Sequence, residues 1–404
     1  MGAAPHDLAA DVSGIGPLRL APHAPAVPLR QRIYESVRAA GHLSRAALAK
    51  ELQVSPGSVT PVVSDLLGAG LLREVAGAAP SGRGRPPVTL AIAPEAGLAV
   101  GVKLSDREIS AVLVDLAGTP VAQGTAPRDP ADRDPEAAIA AIAALVERLL
   151  AGCGGRVVGA GVGLPGMVHG DTGRLHWSPV LEGRDVPFGE RLAARLGVPV
   201  AIDNDAACLT VAELWFGRGR ALPDFAVVTI EYGVGMGLVI GHRPWRGARG
   251  LGMELGHTRV HPDGALCRCG GRGCLEAYVA DYALVRDAAL VLESPVPEGG
   301  DVLDALLAEA RGGNAAARAI FERAARHLAV GLANVANLFE PRRIILSGSR
   351  MRYDLLWAEG MLDTMAAMVL ADPPPVEVNA WDDGVWARGA AALALDRATP
   401  GLLA

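Results

Sequence analysis

The sequence predicts a two-part α/β protein: a small N-terminal head of three helices and a β-hairpin, then a larger body of two lobes. Three observations carry this. Residues 28–77 show apolar residues at helical spacing between short turns, and two short apolar runs then flank an irregular Gly/Pro/Arg stretch. From residue 97, strands and helices recur in two units of similar composition, the pattern of a duplicated α/β domain with a cleft between its halves. The chain has 404 residues, half of them hydrophobic, enough for two or three compact units at about 150 residues each.

In the head, helices are expected near 30–40, 44–52 and 58–69. Ser44 is placed to cap the second, whose Ala47, Leu48 and Leu52 share a face. The third is started near Ser58, because Pro61 deep inside a helix would remove a backbone hydrogen bond. Leu71–Val75 and Val88–Ile92 read as the two strands of a hairpin. The stretch Gly77–Pro87 between them is too rich in Gly and Pro for regular structure. Three helices followed by a hairpin make a winged helix-turn-helix. Residues 1–27 lack a basic head before an apolar core, so they read as a disordered tail and not as a signal peptide. The expected units are 1–27, 28–92 and 93–404.

In the body, Leu98–Leu104, Ile109–Leu116 and Pro120–Thr125 read as a meander, followed by a helix at 135–151 and a strand at Val157–Leu164. Strand Val198–Asp203 feeds a helix at 206–217, and strands recur at 225–231 and 235–241. Several helices, a strand at Arg343–Ser347 and a final helix at 385–397 complete the pattern.

The net charge of -6 excludes a generally basic nucleic-acid binder, but residues 28–90 carry eight Lys/Arg against four Asp/Glu. A basic head on an acidic body suits a nucleic-acid-binding module. In a helix-turn-helix the recognition helix enters the major groove. Residues 55–69 contain no Lys or Arg, so Ser58 and Thr60 are the polar groups offered to bases, and hydroxyls discriminate bases weakly. Arg30, Arg32, Arg45, Lys50 and Arg73 are candidates for phosphate contacts, and Arg83 and Arg85 for a narrow minor groove. A flexible basic linker would have the same composition as this wing. No run of 18 apolar residues exists, so no membrane span is expected.

The strongest local signal is Cys267-Arg-Cys269-Gly-Gly-Arg-Gly-Cys274 with His257 ten residues upstream. Three thiolates and an imidazole are a ligand set for structural zinc, in a reducing cytoplasm, with no ligand position left open for catalysis. Glu254 and Glu276 flank this loop, and Asn204-Asp205 ends a strand entering a helix. Carboxylates there can accept hydrogen bonds from sugar hydroxyls, and Asp205 can serve as a general base. Asn and Asp also cap helices routinely, so capping is the simpler reading of that pair taken alone.

Together these motifs resemble the ROK family of sugar kinases and transcriptional repressors, over about residues 28–398. The most specific part is Glu254-x-x-His257 followed by Cys267-x-Cys269-x4-Cys274-x-Glu276; Gly163-Leu164-Pro165-Gly166 and the Gly82–Pro87 wing add to it. The resemblance implies an actin-like, hexokinase-like ATPase fold for the body. It implies sugar contacts from Asn204, Asp205, Glu254, His257 and Glu276 beside the Gly166 loop, with zinc held by His257, Cys267, Cys269 and Cys274.

The ATP elements depart from the family pattern. Family kinases open the first lobe with Asp-x-Gly-x-Thr, where this chain has Lys103-Leu104-Ser105-Asp106. A lysine cannot coordinate Mg²⁺, and the glycine that admits phosphate is missing. Glu231 stands in the second phosphate loop, Ser347-Gly348-Ser349 replaces the late Gly-Gly, and Val180 follows Ser178-Pro179 where sugar binders carry Asn. The expectation is therefore a DNA-binding regulator controlled by a carbohydrate, without kinase activity, Asp205 being a vestigial base. It is expected to bind a palindromic operator as a homodimer or homotetramer. A ligand-independent regulator that uses the body to dimerise, and an active sugar kinase, are the alternatives.

Overall fold

A computed structural model describes residues 13–18, 27–76, 88–292, 301–348, 351, 354–356 and 359–404. The head contains α1 (Leu29–Ala40), α2 (Arg45–Leu52) and α3 (Pro56–Gly68), then β1 (Leu72–Ala76) paired antiparallel with β2 (Val88–Ile92) in the register Leu72↔Ile92. Ser44 caps α2 by accepting from the Ala47 N–H, as the sequence predicts. The third helix starts two residues earlier than expected. Ser55 accepts from the Ser58 N–H, and Pro56 takes the first helical position, where its missing N–H costs nothing. Pro61 therefore lies inside α3, and its ring is on the exposed face.

The first lobe comprises β3 (Leu98–Leu104), β4 (Glu108–Asp115), β5 (Pro120–Pro127), α4 (Pro135–Ala151), β6 (Val157–Leu164), the hairpin β7 (Met167–His169) and β8 (Arg174–Trp177), α5 (Phe188–Leu196), β9 (Val200–Asn204) and α6 (Asp205–Trp215). Its five-stranded sheet has the order β5-β4-β3-β6-β9. The second lobe comprises β10 (Phe225–Ile230), β11 (Val234–Ile240), β12 (Arg243–Trp245), α7 (Glu276–Val279), α8 (Asp281–Ala288), α9 (Val302–Arg311), α10 (Ala315–Phe339), β13 (Ile344–Gly348), α11 (Glu359–Ala366) and β14 (Val376–Ala380), and α12 (Val385–Leu402) follows it. Its sheet has the order β12-β11-β10-β13-β14. Each lobe is thus a mixed five-stranded sheet, an antiparallel meander extended by parallel strands, as the duplicated pattern implies. Short β12 and the small β7–β8 hairpin carry too few residues for periodicity to reveal them.

The C-terminal helix α12 packs against β3, β6 and α6 and returns the chain to the first lobe. Glycines on the sheet permit this close approach: a Cβ on Gly101 or Gly161 would stand 1.9 Å from the Ala387 or Ala390 carbonyl oxygen.

Head and body share one apolar core, which joins Ile33, Tyr34 and Leu48 to Trp215, Leu395 and Leu403. Residues 13–18, expected in a disordered tail, lie in this seam. Ile15 N–H donates to Arg38, Gly16 N–H to Trp215 and Leu18 N–H to Arg220, each at 2.9 Å. The reason is unsatisfied backbone. The buried Arg220 guanidinium donates to the Gly16 and Ala39 carbonyls, and Ile15 adds its side chain to the shared core.

Candidate functional site

The four predicted metal ligands converge. One ligand atom from each of His257, Cys267, Cys269 and Cys274 lies within 4.8 Å of the others. Cys267 Sγ is 3.7 Å from His257 Nδ1, and Cys269 Sγ is 3.7 Å from Cys274 Sγ. A tetrahedron with metal–sulfur bonds of about 2.3 Å has edges of about 3.8 Å. The donor set therefore fits a closed tetrahedral metal centre. The loop is shaped by Gly270 and Gly273, at φ 86° and 74°, and by Cys267 N–H donating to the Gly271 carbonyl. Burial pushes the metal-free Cys267 thiol up to about 12. With Nδ1 turned toward the thiols, His257 presents Nε2 to Glu254, 4.0 Å from its Oε2.

Asn204 and Asp205 sit where β9 ends and α6 begins. The capping foreseen for the pair occurs, and Asn204 also ties the Gly166 loop. Asn204 Oδ1 caps α6 by accepting from Ala206 N–H at 2.8 Å, while its Nδ2 donates to the Gly166 carbonyl at 2.8 Å. Gly166 is required there: at φ 136°, a Cβ would meet the Trp177 carbonyl oxygen at 2.3 Å. Burial raises the Asp205 carboxyl above its ordinary value, opposed by the Ala206 N–H and the Lys103 charge. Burial likewise raises Glu254, with His257 opposing and the Asp205 and Glu276 charges adding to the rise. Asp205, His257 and Glu276 thus all lie near enough to Glu254 to act on its charge.

Glu276 is more enclosed than its motif suggests. Its Oε2 accepts from Val234 N–H at 3.4 Å, and its Oε1 lies 3.4 Å from the Tyr282 hydroxyl and 3.6 Å from Cys267 Sγ. The same carboxylate covers Gly233, where a Cβ would stand 2.9 Å from Oε2. Glu231 covers Gly348 in the same way, with Oε1 2.5 Å from a Cβ built there. At the end of β3, Lys103 Nζ lies over the Trp386 ring, 3.9 Å from its centroid. Ser349, the last residue of the late glycine element, falls outside the described residues. Val180 is half-buried against the first-lobe core, and its carbonyl accepts from Arg128 at 2.8 Å.

In the head, Ser58 and Thr60 are exposed near the start of α3, and the Thr60 hydroxyl donates to the Pro56 carbonyl at 3.0 Å. Arg45 pairs with Glu74 at 2.9 Å, and Arg32 donates to the Leu52 carbonyl at 3.1 Å. Arg83 and Arg85 lie outside the described residues.

Sequence reasoning missed Arg246, which follows β12 and binds buried Asp203 through Nε at 2.6 Å, tying the second lobe to the floor of the first. It also missed Arg38 in α1, which donates to the Thr399 hydroxyl of α12 at 2.9 Å. No local signal marks either residue, because each partner is remote in sequence. Among the described residues no helix is long and apolar enough to cross a membrane.

Known proteins resemble this chain along most of its length. The DNA-binding transcriptional dual regulator NagC of Escherichia coli is 29% identical over 356 residues, covering 85% of this chain and 86% of NagC. A glucokinase of Streptomyces coelicolor is 34% identical over 265 residues, covering 62% of this chain and 82% of the enzyme. A solved ROK family transcriptional regulator, a homologue of the E. coli Mlc protein, superposes with a TM-score of 0.79 at 24% identity, over 93% of this chain and 96% of that one. This likeness places the body in the hexokinase-like, actin-like ATPase fold. The ROK family model matches residues 99–397, and the chain belongs to the ROK family.

Proposed function

We propose that this protein is a DNA-binding transcriptional repressor whose operator affinity is set by a carbohydrate bound between the lobes, and that it is not a kinase. The observation that carries this is a division within one cleft. Asn204, Asp205, Glu254 and His257 gather polar groups suited to sugar hydroxyls, while the phosphate side is closed by protein charge. Lys103 replaces a metal-binding carboxylate and rests on Trp386, and Glu231 places negative charge against Gly348. Phosphoryl transfer depends on metal and cationic neutralisation at such positions.

The head serves as a winged helix-turn-helix, with Ser58 and Thr60 toward bases and Arg45, Arg83 and Arg85 toward the backbone and minor groove. NagC, a dual regulator, supports the regulator assignment, and a similar protein named an N-acetylglucosamine repressor supports repression. Zinc is the ion for the Cys3His site, and its role is structural, because ligation by Nδ1 fixes His257 with Nε2 toward the sugar. The active form is a homodimer or homotetramer, assembled through the C-terminal lobe and matched to a palindrome.

The test uses the purified full-length chain. Operator binding is measured by fluorescence anisotropy across a sugar panel, beside coupled assays of MgATP turnover. Sugar-dependent operator affinity with no turnover is expected. The glucokinase likeness favours a second reading, an active kinase, and sugar-dependent ATP hydrolysis abolished by Asp205→Asn would establish it instead. Operator binding that no sugar alters would leave the body as a dimerisation module, a reading that Val180 in place of the family Asn favours.

A further inference from the structure

A second group of metal-ligating side chains stands apart from the cysteine loop, on the first lobe. One ring nitrogen of His169, one of His176 and a carboxylate oxygen of Asp185 lie within 4.8 Å of one another. Three local features bring them together.

The first is a β-bulge. Strands β7 and β8 pair His169↔Arg174 and Val168↔Leu175, but Met167 pairs with Trp177, leaving His176 as the extra residue. A bulge re-aims its side chain, and the His176 ring meets the His169 ring edge-on at 5.9 Å between centroids. The second is the backbone of Asp185, at φ 54° in the left-handed region. That conformation costs roughly 1–2 kcal/mol for a residue with a Cβ, though Asp tolerates it better than most. Asp185 is held by its own N–H donating to the His176 carbonyl at 3.2 Å and by Arg174 donating to its carbonyl. Its carboxylate Oδ1 then stands 2.9 Å from His176 Nδ1.

The third feature is a fixed tautomer. His169 Nδ1 lies 2.9 Å from the Arg249 carbonyl oxygen. A carbonyl only accepts, so Nδ1 carries the proton, and in the neutral ring Nε2 keeps the lone pair. Metal-binding histidines are oriented in this way, by donating the other ring N–H to a carbonyl or carboxylate.

We infer that His169, His176 and Asp185 form a second metal site, for a divalent first-row transition ion such as Zn²⁺, Ni²⁺ or Co²⁺. Two imidazoles and one carboxylate favour these ions over Mg²⁺ or Ca²⁺, which take all-oxygen shells. The separation of 2.9 Å between His176 Nδ1 and Asp185 Oδ1 is close to the roughly 3.0 Å edge between cis ligands of an octahedral shell with bonds of about 2.1 Å, and shorter than the roughly 3.4 Å tetrahedral edge. The site is half-exposed, so water completes the shell, and the ion is held more weakly than one on three thiolates. Through His169 the ion also braces Arg249, in the loop that leads to Glu254, and His169 lies three residues beyond Gly166. The site is independent of the DNA and sugar assignments.

The test is a Co²⁺ titration of the full-length, reduced, metal-stripped protein. Two equivalents are expected. One gives the intense thiolate-to-cobalt charge-transfer band of the cysteine site, and one gives only weak visible d–d absorption. His176→Ala and Asp185→Asn should each remove the second equivalent and keep the first, and Cys269→Ser should do the reverse. Loss of the weak equivalent in the His176 and Asp185 variants supports the site even if no thiolate band forms, which separates the two metal assignments. A single thiolate-bound equivalent in the wild type, or two equivalents surviving in a His169→Ala/His176→Ala variant, overturns it. The substituted side chains are at the surface, so the metal-free variants should melt with the metal-free wild type.

Discussion

The Arg38 guanidinium of the head lies over the Trp215 indole of the body, 4.3 Å from the ring centroid. Trp215 is the last residue of α6, and Asp205 is the first. One rigid helix of about 16 Å therefore runs from the candidate sugar site to the seam with the head. Arg38 also reaches Thr399 in α12, the helix packed on α6. A sugar that favours one lobe arrangement then moves the surface on which the head rests.

Arg38→Met keeps most of the packing volume but removes the charge, with a cost of about 2 kcal/mol for a desolvated cation–π contact. Its expected effect is on coupling. Operator affinity without sugar should change little, while the ratio of affinities with and without sugar should fall toward one. Anisotropy titrations measure both, and an intact ratio would mean that the signal travels by another route.

Cys274→Ser should abolish tight zinc binding and lower the melting temperature by about 5 °C or more, because the loop it closes also positions His257 and Glu276. Metal analysis and a thermal melt suffice, and a strong chelator should reproduce the melt on the wild type. A melt unchanged in both would remove the structural role.

Burial raises the Asp205 carboxyl, so the folded chain keeps that proton to higher pH than the unfolded chain does. Stability from this group therefore falls as pH rises from 3.8 through the raised value, and stays lower above it. Asp205→Asn cannot ionise and escapes this cost. The variant should melt a few degrees above the wild type at pH 8, converge with it below pH 3.8, and lose the sugar response. A variant less stable than the wild type at pH 8 would contradict the burial argument.

Arg45 is held by Glu74 in the free protein. Glu74→Gln should release it to DNA phosphate and steepen the salt dependence of binding by about one counterion. Arg85→Ala should weaken operator binding by roughly 1–3 kcal/mol if the wing reads a groove. Gel-shift midpoints at two fixed salt concentrations test both, and midpoints unmoved by either substitution would place the DNA surface elsewhere.

Much of the fold was legible before the structure. Helix Pro135–Ala151 and strand Val157–Leu164 match their expected bounds, because an apolar stripe and a buried apolar run are local patterns. The start of α3 differs from expectation because Pro61 argues for a late start, whereas Ser55-Pro56 supplies a cap followed by a first-turn proline.

The sequence alone brought His257, Cys267, Cys269 and Cys274 together as one cluster, since spacing as tight as Cys-x-Cys-x4-Cys leaves the chain few ways to arrange them. Only the tertiary structure decided what those residues face. It turned Glu276 toward Gly233, laid Lys103 on Trp386, drew residues 13–18 into the seam, and aimed His176 and Asp185 at each other from a bulge and a left-handed turn. Each of those contacts depends on the direction of a side chain, on a β-strand register or on chain segments far apart in sequence, and no local pattern of residue types encodes them.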